Sequence, residues 1–164
     1  MRKLFVLAVM ALVMAMAGIP ASAAGGGGTV VGWGRNDYGQ ANIPAGATDA
    51  VTIAAGYRHN LALKADGTVV AWGRNYEGET NVPAGLTGVV AITGGGFHTL
   101  ALKADGAVVA WGWNNYGQTS PPAGLTDALA ISAGEYHSLA LKAAGTVVGW
   151  GRNHYGQASP PAAL

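Results

Sequence analysis

The sequence predicts an all-β fold, a β-propeller of which this chain supplies only part. Trp-Gly recurs at Trp33, Trp72, Trp111 and Trp150, a constant step of 39 residues. Within each step, runs of alternating polar and apolar residues are separated by Gly-containing turns, and none of these runs has a helical period. Units of about 40 residues with three or four short strands and fixed Trp and Gly positions are typical of propeller blades.

The period divides the chain into equal units without insertions. Three units occupy residues 29–67, 68–106 and 107–145, and a partial unit occupies 146–164. The chain therefore holds four copies of the half-unit T-V-V-x-W-G, with Ala107 in place of Thr in the third, but three copies of the strand that ends in L-A-L-K. This count predicts an incomplete propeller of three full units and one half unit.

Residues 1–23 are predicted to be a secretory signal peptide. Arg2 and Lys3 form a basic start, Leu4 to Ala17 is an unbroken apolar run, and residues 21–23 (Ala-Ser-Ala) form a small-residue cleavage site. The run has 14 residues, whereas a bilayer-spanning helix needs roughly 20. We therefore expect a secreted protein, periplasmic or extracellular, without a membrane anchor, in which residues 24–28 are a flexible Gly-rich leader.

Charge and composition exclude several classes of function. Removal of Arg2 and Lys3 leaves seven basic residues against eight acidic ones, which makes a nucleic-acid partner unexpected. The sequence has no Cys, so it has no disulfides, thiolate metal sites or Cys nucleophile. It also lacks a G-x-S-x-G motif, and no Lys-Ser/Thr pair follows Gly25–Gly28. Only Glu77 and Glu79 place two carboxylates close together, and they occur in one copy. We expect no enzymatic activity and no cofactor.

Each unit is predicted to contain a β-hairpin. His98–Lys103 alternates polar and apolar residues, Asp105-Gly106 is a turn pair, and Ala107–Trp111 is rich in strand formers. The Asp-Gly pair predicts a type I′ turn. The third unit has Ala144-Gly145 instead, a weaker turn former.

Residues that recur at the 39-residue step are expected to serve the blade itself. The Trp residues are predicted to pack between blades, and the Gly residues to permit close backbone approach or positive φ. A His before each apolar strand is predicted to tie the turn to its own backbone rather than to bind metal, and a Lys at the strand end is predicted to be solvated. Beyond the four Trp residues, these positions are Gly56, Gly95 and Gly134; His59, His98 and His137; and Lys64, Lys103 and Lys142.

The order of these residues resembles the regulator of chromosome condensation repeat family. The resemblance rests on Gly56-Tyr57-Arg58-His59, Leu61-Ala62-Leu63, Asp66-Gly67 and Val69–Gly73, and on their counterparts 39 residues further on. The short units and the export signal are more similar to the bacterial branch, which includes secreted β-lactamase-inhibitor propellers, than to the nuclear exchange factor. The resemblance implies a seven-bladed ring whose loop faces bind other proteins, with a secreted enzyme as one kind of target.

This chain does not supply a seven-bladed ring. Two copies of the chain would provide eight half-units that contain Trp-Gly but only six strands that end in L-A-L-K. A simple dimer therefore does not complete a seven-bladed ring. The expectation is a fragment of a longer propeller without independent function, or an open array capped by another chain. Unpaired blade edges would also permit self-association.

The loops that vary between copies are the candidate binding site. The loop after Trp-Gly and the loop before the His carry Tyr, Trp and Arg, the residue types that dominate binding hot spots. Protein binding is the main hypothesis, stacking on carbohydrate or cell-wall polymer is an alternative, and packing within the blades accounts for part of the aromatic content. The candidates are Arg35, Asp37, Tyr38, Tyr57, Arg58, Arg74, Tyr76, Glu77, Phe97, Trp113, Asn115, Tyr116, Glu135, Tyr136, Arg152, His154 and Tyr155.

Overall fold

A computed structural model describes residues 4–6 and 27–161. In these residues the chain forms short strands and a single turn of 3-10 helix at Ala45–Ala47. The strands are β1 (Leu4–Val6), β2 (Thr29–Val31), β3 (Ala50–Ala55), β4 (His59–Lys64), β5 (Val69–Gly73), β6 (Val89–Gly94), β7 (His98–Lys103), β8 (Val108–Gly112), β9 (Ala128–Ala133), β10 (His137–Lys142) and β11 (Val147–Gly151). The all-β prediction is confirmed.

Nine of these strands form three antiparallel sheets of three strands each, in the orders β3-β4-β5, β6-β7-β8 and β9-β10-β11. The sheets are blades of an incomplete propeller and, over the described residues, they do not close into a ring, as predicted. The last strand of each sheet comes from the start of the next sequence unit. Consecutive units are thus joined within a sheet as well as between sheets.

The core lies between neighbouring sheets, and the middle strand of each sheet supplies both sides of it. Leu61 and Leu63 of β4 pack with the second sheet, while Ala62 packs toward β2. In β7, Ala101 packs back onto the first sheet, and Leu100 and Leu102 pack onto the third. Successive side chains of a strand point to opposite faces, so the Leu-Ala-Leu pattern assigns one face to each neighbouring sheet.

The recurring Trp confirms the packing prediction at three positions and contradicts it at the fourth. Trp72, Trp111 and Trp150 are each 7% exposed and belong to the three core clusters. Trp33 is 53% exposed. Trp33 follows β2, which among the described strands pairs only with β1, whereas β5, β8 and β11 each pair with the middle strand of a sheet. The prediction that Trp33 is a packing residue is therefore wrong for the described residues.

The hairpin prediction is confirmed, but the turn type is wrong. β7 and β8 pair antiparallel, and Gly106 N donates to Lys103 O over 3.0 Å. Gly106 has φ 81°, whereas a type I′ turn needs positive φ at both central residues. Asp49 is the one described non-Gly residue with positive φ, so Asp105 does not meet that condition. The connection is a type I turn followed by a left-handed Gly, the three-residue hairpin loop with a bulge.

Most of the predicted signal peptide lies outside the described residues. Leu4–Val6 is described and pairs with β2 in parallel register. The described end of the leader is tied to the first sheet, because Gly28 N donates to Ala50 O over 2.9 Å. Within residues 4–6 and 27–161, no helix has the length and hydropathy to cross a membrane.

Candidate interaction surface

The loop after each Trp-Gly is closed by the side chain of its Asn. Asn36 Oδ1 accepts from Ala41 N, and Asn36 Nδ2 donates to Asn42 Oδ1, both over 2.8 Å. The side chain thus bridges the two ends of the loop and defines its shape. Asn75, Asn114 and Asn153 make the equivalent pairs of bonds. Asn therefore recurs in all four copies because it acts as the turn former of this loop.

A Gln or Glu lies four residues after each Asn, and in the first three loops it holds the loop to the next sheet, a role that sequence analysis missed. Gln118 Oε1 accepts from Tyr116 N over 3.0 Å, while its main-chain oxygen accepts from Trp150 Nε1 over 2.8 Å. Trp72 and Trp111 make the same bond to the oxygens of Gln40 and Glu79. Every Trp of the core therefore positions the loop that precedes its own sheet.

The recurring His joins one sheet to the next rather than to its own backbone, so that part of the prediction is wrong. His59 Nε2 lies 3.0 Å from Thr99 Oγ1, which itself donates to Glu79 O over 3.0 Å. Because Thr99 Oγ1 already donates its hydrogen to Glu79 O, His59 Nε2 is the donor of the bond between His59 and Thr99. His98 repeats this bond with Ser138 Oγ over 2.9 Å. Burial lowers the pKa of both His side chains from 6.5 to about 4.

The Gly before each of these His residues is required for close approach. A Cβ on Gly95 would lie 2.2 Å from His98 Cε1, and one on Gly56 would lie 2.1 Å from His59 Cε1. No side chain fits between the backbone and the ring. The first of the two explanations predicted for these Gly residues, close approach, is the one that the structure bears out.

The loops after Trp-Gly and the loops before the recurring His lie side by side. Their aromatic, Arg and His side chains form one continuous network, here called the aromatic loop face. Each member lies within ring-contact or cation–π distance of at least one other member. The network joins candidate residues from the three full units and the partial unit, although they lie in separate loops along the sequence. The members are Tyr38, Tyr57, Arg58, Arg74, Tyr76, Phe97, Trp113, Tyr116, Tyr136, Arg152, His154 and Tyr155.

The centre of this face is a cluster of four rings from three loops. Phe97 and Tyr136 are stacked at 6.0 Å between centroids, and Trp113 meets Tyr136 edge-on at 5.2 Å. Tyr116 contacts Trp113 and Tyr136 edge-on at 5.4 and 5.7 Å. Edge-to-face and offset pairs of this kind stabilise by about 0.5–1.5 kcal/mol beyond area burial. Part of the aromatic content therefore packs within the protein, as the packing alternative anticipated.

Three Arg side chains lie against the rings. Arg74 lies 4.8 Å from the centroid of Tyr76 and 4.9 Å from that of Phe97. It also forms an ion pair with Glu79, whose side chain is fully buried. In the next unit Trp113 replaces this Arg, and Gln118 Nε2 is buried without a hydrogen-bond partner among the described residues. The space beside the ring of the next loop is thus filled by the Arg74 guanidinium group against Phe97 in one unit, and by the Trp113 indole against Tyr136 in the next.

The remaining candidates lie beside the network. Arg35 is paired with Asp37, and this hydrogen bond lowers the pKa of the Asp37 carboxyl. Glu77 Oε1 lies 3.8 Å from Arg74 Nη2. Glu135 forms a side-chain hydrogen bond with Tyr136, and this bond raises the pKa of the Tyr136 hydroxyl. Asn115 is exposed.

A shallow cup of about 430 Å³ lies where the loops before the His residues meet. Backbone lines most of it, because Gly56, Gly95, Gly96 and Gly134 supply much of its wall, with Tyr57 and Glu135 beside them. Tyr57 N donates to Gly95 O and Gly96 N to Gly134 O, each over 3.3 Å. Within the part of the chain that the structure describes, no three His, Asp or Glu side chains are grouped to hold a metal ion. The arrangement presents rings, guanidinium groups and backbone to a partner.

Comparison with solved structures identifies relatives of the same architecture. The chain is similar to the ectodomain of the receptor kinase CR4 from Physcomitrella patens, with 30% identity and a TM-score of 0.62 over 80% of this chain and 38% of that one. It is similar to Prp20p from Saccharomyces cerevisiae, with 27% identity and a TM-score of 0.59 over 69% and 33%. It is also similar to the ectodomain of the Arabidopsis thaliana receptor kinase ACR4, with 26% identity and a TM-score of 0.60 over 73% and 42%.

The chain covers less than half of the length of each of these structures. No curated protein sequence matches it significantly. The model of the regulator of chromosome condensation (RCC1) repeat matches residues 50–79, 89–118 and 129–157, more than half of the chain. Each match begins at or next to the first strand of a sheet and ends in the loop after the last strand of that sheet. The chain therefore belongs to the regulator of chromosome condensation repeat family.

Proposed function

We propose that this protein is an exported, non-enzymatic module that binds another protein through the aromatic loop face. The observation that carries the proposal is the joining of rings from separate loops into one network, which several sheets hold in place. Tyr, Trp and Arg dominate binding hot spots because they offer large contact areas at low conformational entropy. A rigid loop framework lowers the entropy that binding would otherwise cost.

Relatives support protein binding as the general role. Prp20p has binding properties toward Gsp1p and histones, and yeast RCC1 (Prp20) has been solved with Kap60 bound to it. We propose that this chain shares the general role of protein binding, but not the partners Gsp1p, histones and Kap60. Its signal sequence and short units favour a bacterial host and a secreted target, and an exported enzyme is the target class that the similar bacterial inhibitors suggest.

Binding is tested with variants of three exposed rings of the face. Tyr76→Ala, Tyr116→Ala and Tyr155→Ala change side chains that are 75%, 41% and 87% exposed, so folding should be preserved. Val51→Ser and Val90→Ser, at exposed positions outside the network, are the matched controls. A partner captured from secreted proteins should bind the triple Tyr variant at least about tenfold more weakly, and the Val variants unchanged. Equal binding by all variants would refute this role for the face.

Export has its own experiment. The full chain expressed in a bacterium should be recovered outside the cytoplasm, with an amino terminus near Ala24 by mass spectrometry. Replacement of Arg2 and Lys3 by Glu should retain it in the cytoplasm. Uncleaved wild-type protein in the cytoplasm would contradict export without affecting the binding proposal.

Cell-wall carbohydrate is the second candidate ligand. Tyr76 and Tyr155 are the most exposed rings of the face, and flat exposed rings suit the apolar faces of sugars. Retention on insoluble cell-wall polysaccharide that depends on Tyr76 and Tyr155, together with no protein captured, would favour this candidate.

A further inference from the structure

The units differ in how the Arg after Trp-Gly is neutralised. Arg35 is paired with Asp37, two residues further on. Arg74 is paired with Glu79, five residues further on, and lies 3.8 Å from Glu77. In both loops the guanidinium group therefore has a carboxylate of its own.

Arg152 occupies the same position in the partial unit, where neither of the two corresponding places holds an acidic residue. The residue two places on is His154, and the residue five places on is Gln157. Arg152 Nε donates to His154 Nδ1 over 3.0 Å, and its guanidinium carbon lies 5.6 Å from the ring centroids of Tyr116 and Tyr136. Among the described residues, no Asp or Glu oxygen lies within 4.0 Å of its nitrogen atoms.

Arg58 is the second guanidinium group of this kind. It lies 4.9 Å from the ring centroid of Tyr38 and 5.2 Å from that of Tyr57, and its Nη1 donates to Tyr38 Oη over 2.6 Å. Within the described part of the chain it too has no carboxylate in ion-pair range. Arg58 and Arg152 thus provide two positive charges on aromatic platforms.

Such platforms are suited to carboxylates. A guanidinium group has five N–H donors in a rigid fork that matches a carboxylate, and each of these two uses one donor in a side-chain hydrogen bond. The flanking rings hold the fork in place and lower the local polarity, so an ion pair formed there is stronger than one in open water. The rings also offer contact area to apolar groups beside the carboxylate.

We infer that the aromatic loop face binds a protein segment in which Asp or Glu side chains stand next to aromatic or aliphatic ones, with carboxylates on Arg58 and Arg152. This inference rests on the proposed function, since it names the chemistry of the partner at the same face. Arg35 and Arg74 contribute less attraction because their charges are already neutralised within the loops.

The test uses a phage-displayed library of random dodecapeptides selected on the folded protein. Enriched peptides should combine Asp or Glu with Trp, Tyr, Phe or Leu, and replacement of their acids by Asn or Gln should weaken binding about tenfold. Arg152→Gln and Arg58→Gln should each produce a similar loss. Arg152→Lys should lose part of it, because the charge remains but the fork is gone. Arg35→Gln, at a paired position, should change binding less than about twofold.

The outcomes separate this inference from the proposed function. Peptides that require Tyr76 and Tyr116 of this protein but not their own acids, or equal losses for Arg35→Gln and Arg152→Gln, would overturn the inference and leave protein binding intact. Enriched peptides insensitive to every change in the face would overturn both. Retention of the protein on polygalacturonate with the same dependence on Arg152, and no enriched peptide, would make the occupant an acidic carbohydrate and overturn the inference.

Discussion

His98 in β7 donates from Nε2 to Ser138 Oγ in β10, and this 2.9 Å bond crosses from the second sheet to the third. Ser138 Oγ in turn donates a hydrogen bond to Gln118 O over 2.9 Å. The same carbonyl accepts from Trp150 Nε1. One buried chain of hydrogen bonds thus connects a sheet, its neighbour and the loop between them.

The first prediction concerns this connection. His98→Ala and Ser138→Ala should each lower the free energy of unfolding by about 1–3 kcal/mol, because each change leaves a buried polar group without its partner. The double variant should be less destabilised than the sum of the two by about 1 kcal/mol, since both remove the same bond. Urea denaturation checks the cycle, with His154→Ala as the exposed control. Strict additivity would mean that the bond contributes nothing.

The second prediction concerns pH. His59 and His98 have pKa values of about 4 in the folded protein because burial opposes their charged form, against 6.5 when unfolded. Glu79 and Arg74 act on His59 with opposite signs, and His59 and His137 act on His98. Between pH 6.5 and 4 the unfolded chain binds more protons than the folded one, so stability falls as pH is lowered.

At pH 5 each of these His residues should account for about 2 kcal/mol of lost stability. His98→Gln should therefore lose about 2 kcal/mol less than the wild type between pH 7 and pH 5. Urea denaturation of both proteins at the two pH values measures this difference. Identical losses in both would show that His98 is not held neutral by the fold.

The third prediction concerns the turn of the third sheet. Asp66 Oδ1 accepts from Thr68 N over 3.0 Å and from Thr68 Oγ1 over 2.6 Å, bonds that stabilise the turn of the first sheet. Ala144 occupies the Asp66 position in the third sheet and provides no acceptor, although Thr146 is present.

Ala144→Asp should raise the free energy of unfolding by about 0.5–1 kcal/mol, because it supplies the missing turn bonds. Asp66→Ala should lower it by a similar amount and serves as the reciprocal control. Thermal unfolding followed by circular dichroism measures both. A lower stability for Ala144→Asp would contradict the equivalence of the turns.

The fourth prediction concerns the buried carboxylate of Glu79. Its position is Gln in the other units, and here it is paired with Arg74. Arg74→Ala should destabilise the protein by about 3 kcal/mol, because it leaves an uncompensated buried charge. Arg74→Ala combined with Glu79→Gln should recover most of that loss, because Gln40 and Gln118 make the same loop contacts without a charge. Chemical denaturation decides the matter: no recovery in the double variant would show that Arg74 acts through its ring contacts alone.

Features set by short stretches of sequence could be predicted. The period, the His98–Trp111 hairpin and the loop-closing Asn36 depend on residues close in the chain, and all three are present in the structure. The prediction of a type I′ turn is wrong because an Asp-Gly pair also suits a type I turn followed by a left-handed Gly. The prediction that Trp33 packs between blades is wrong because the burial of this side chain depends on neighbouring strands, and the local sequence does not specify them.

Features that depend on how the sheets stack were beyond sequence analysis. The bond from His98 to Ser138 joins residues 40 positions apart. The residue types of the aromatic loop face were predicted, but the stacking of Phe97 on Tyr136 was not, because it depends on the rotation between adjacent sheets. Arg152 has no carboxylate in ion-pair range among the described residues, and this difference is evident only against the ion pairs that Arg35 and Arg74 form in the structure.

The bond between His98 and Ser138 repeats the one between His59 and Thr99, with the same separation along the chain. A unit therefore carries the donor for its successor and the acceptor for its predecessor. Tandem duplication of a gene segment encoding 39 residues would add a blade that already fits on both sides. The length of such an array can evolve by recombination alone, while loop positions other than the recurring Asn and its Gln or Glu partner diverge.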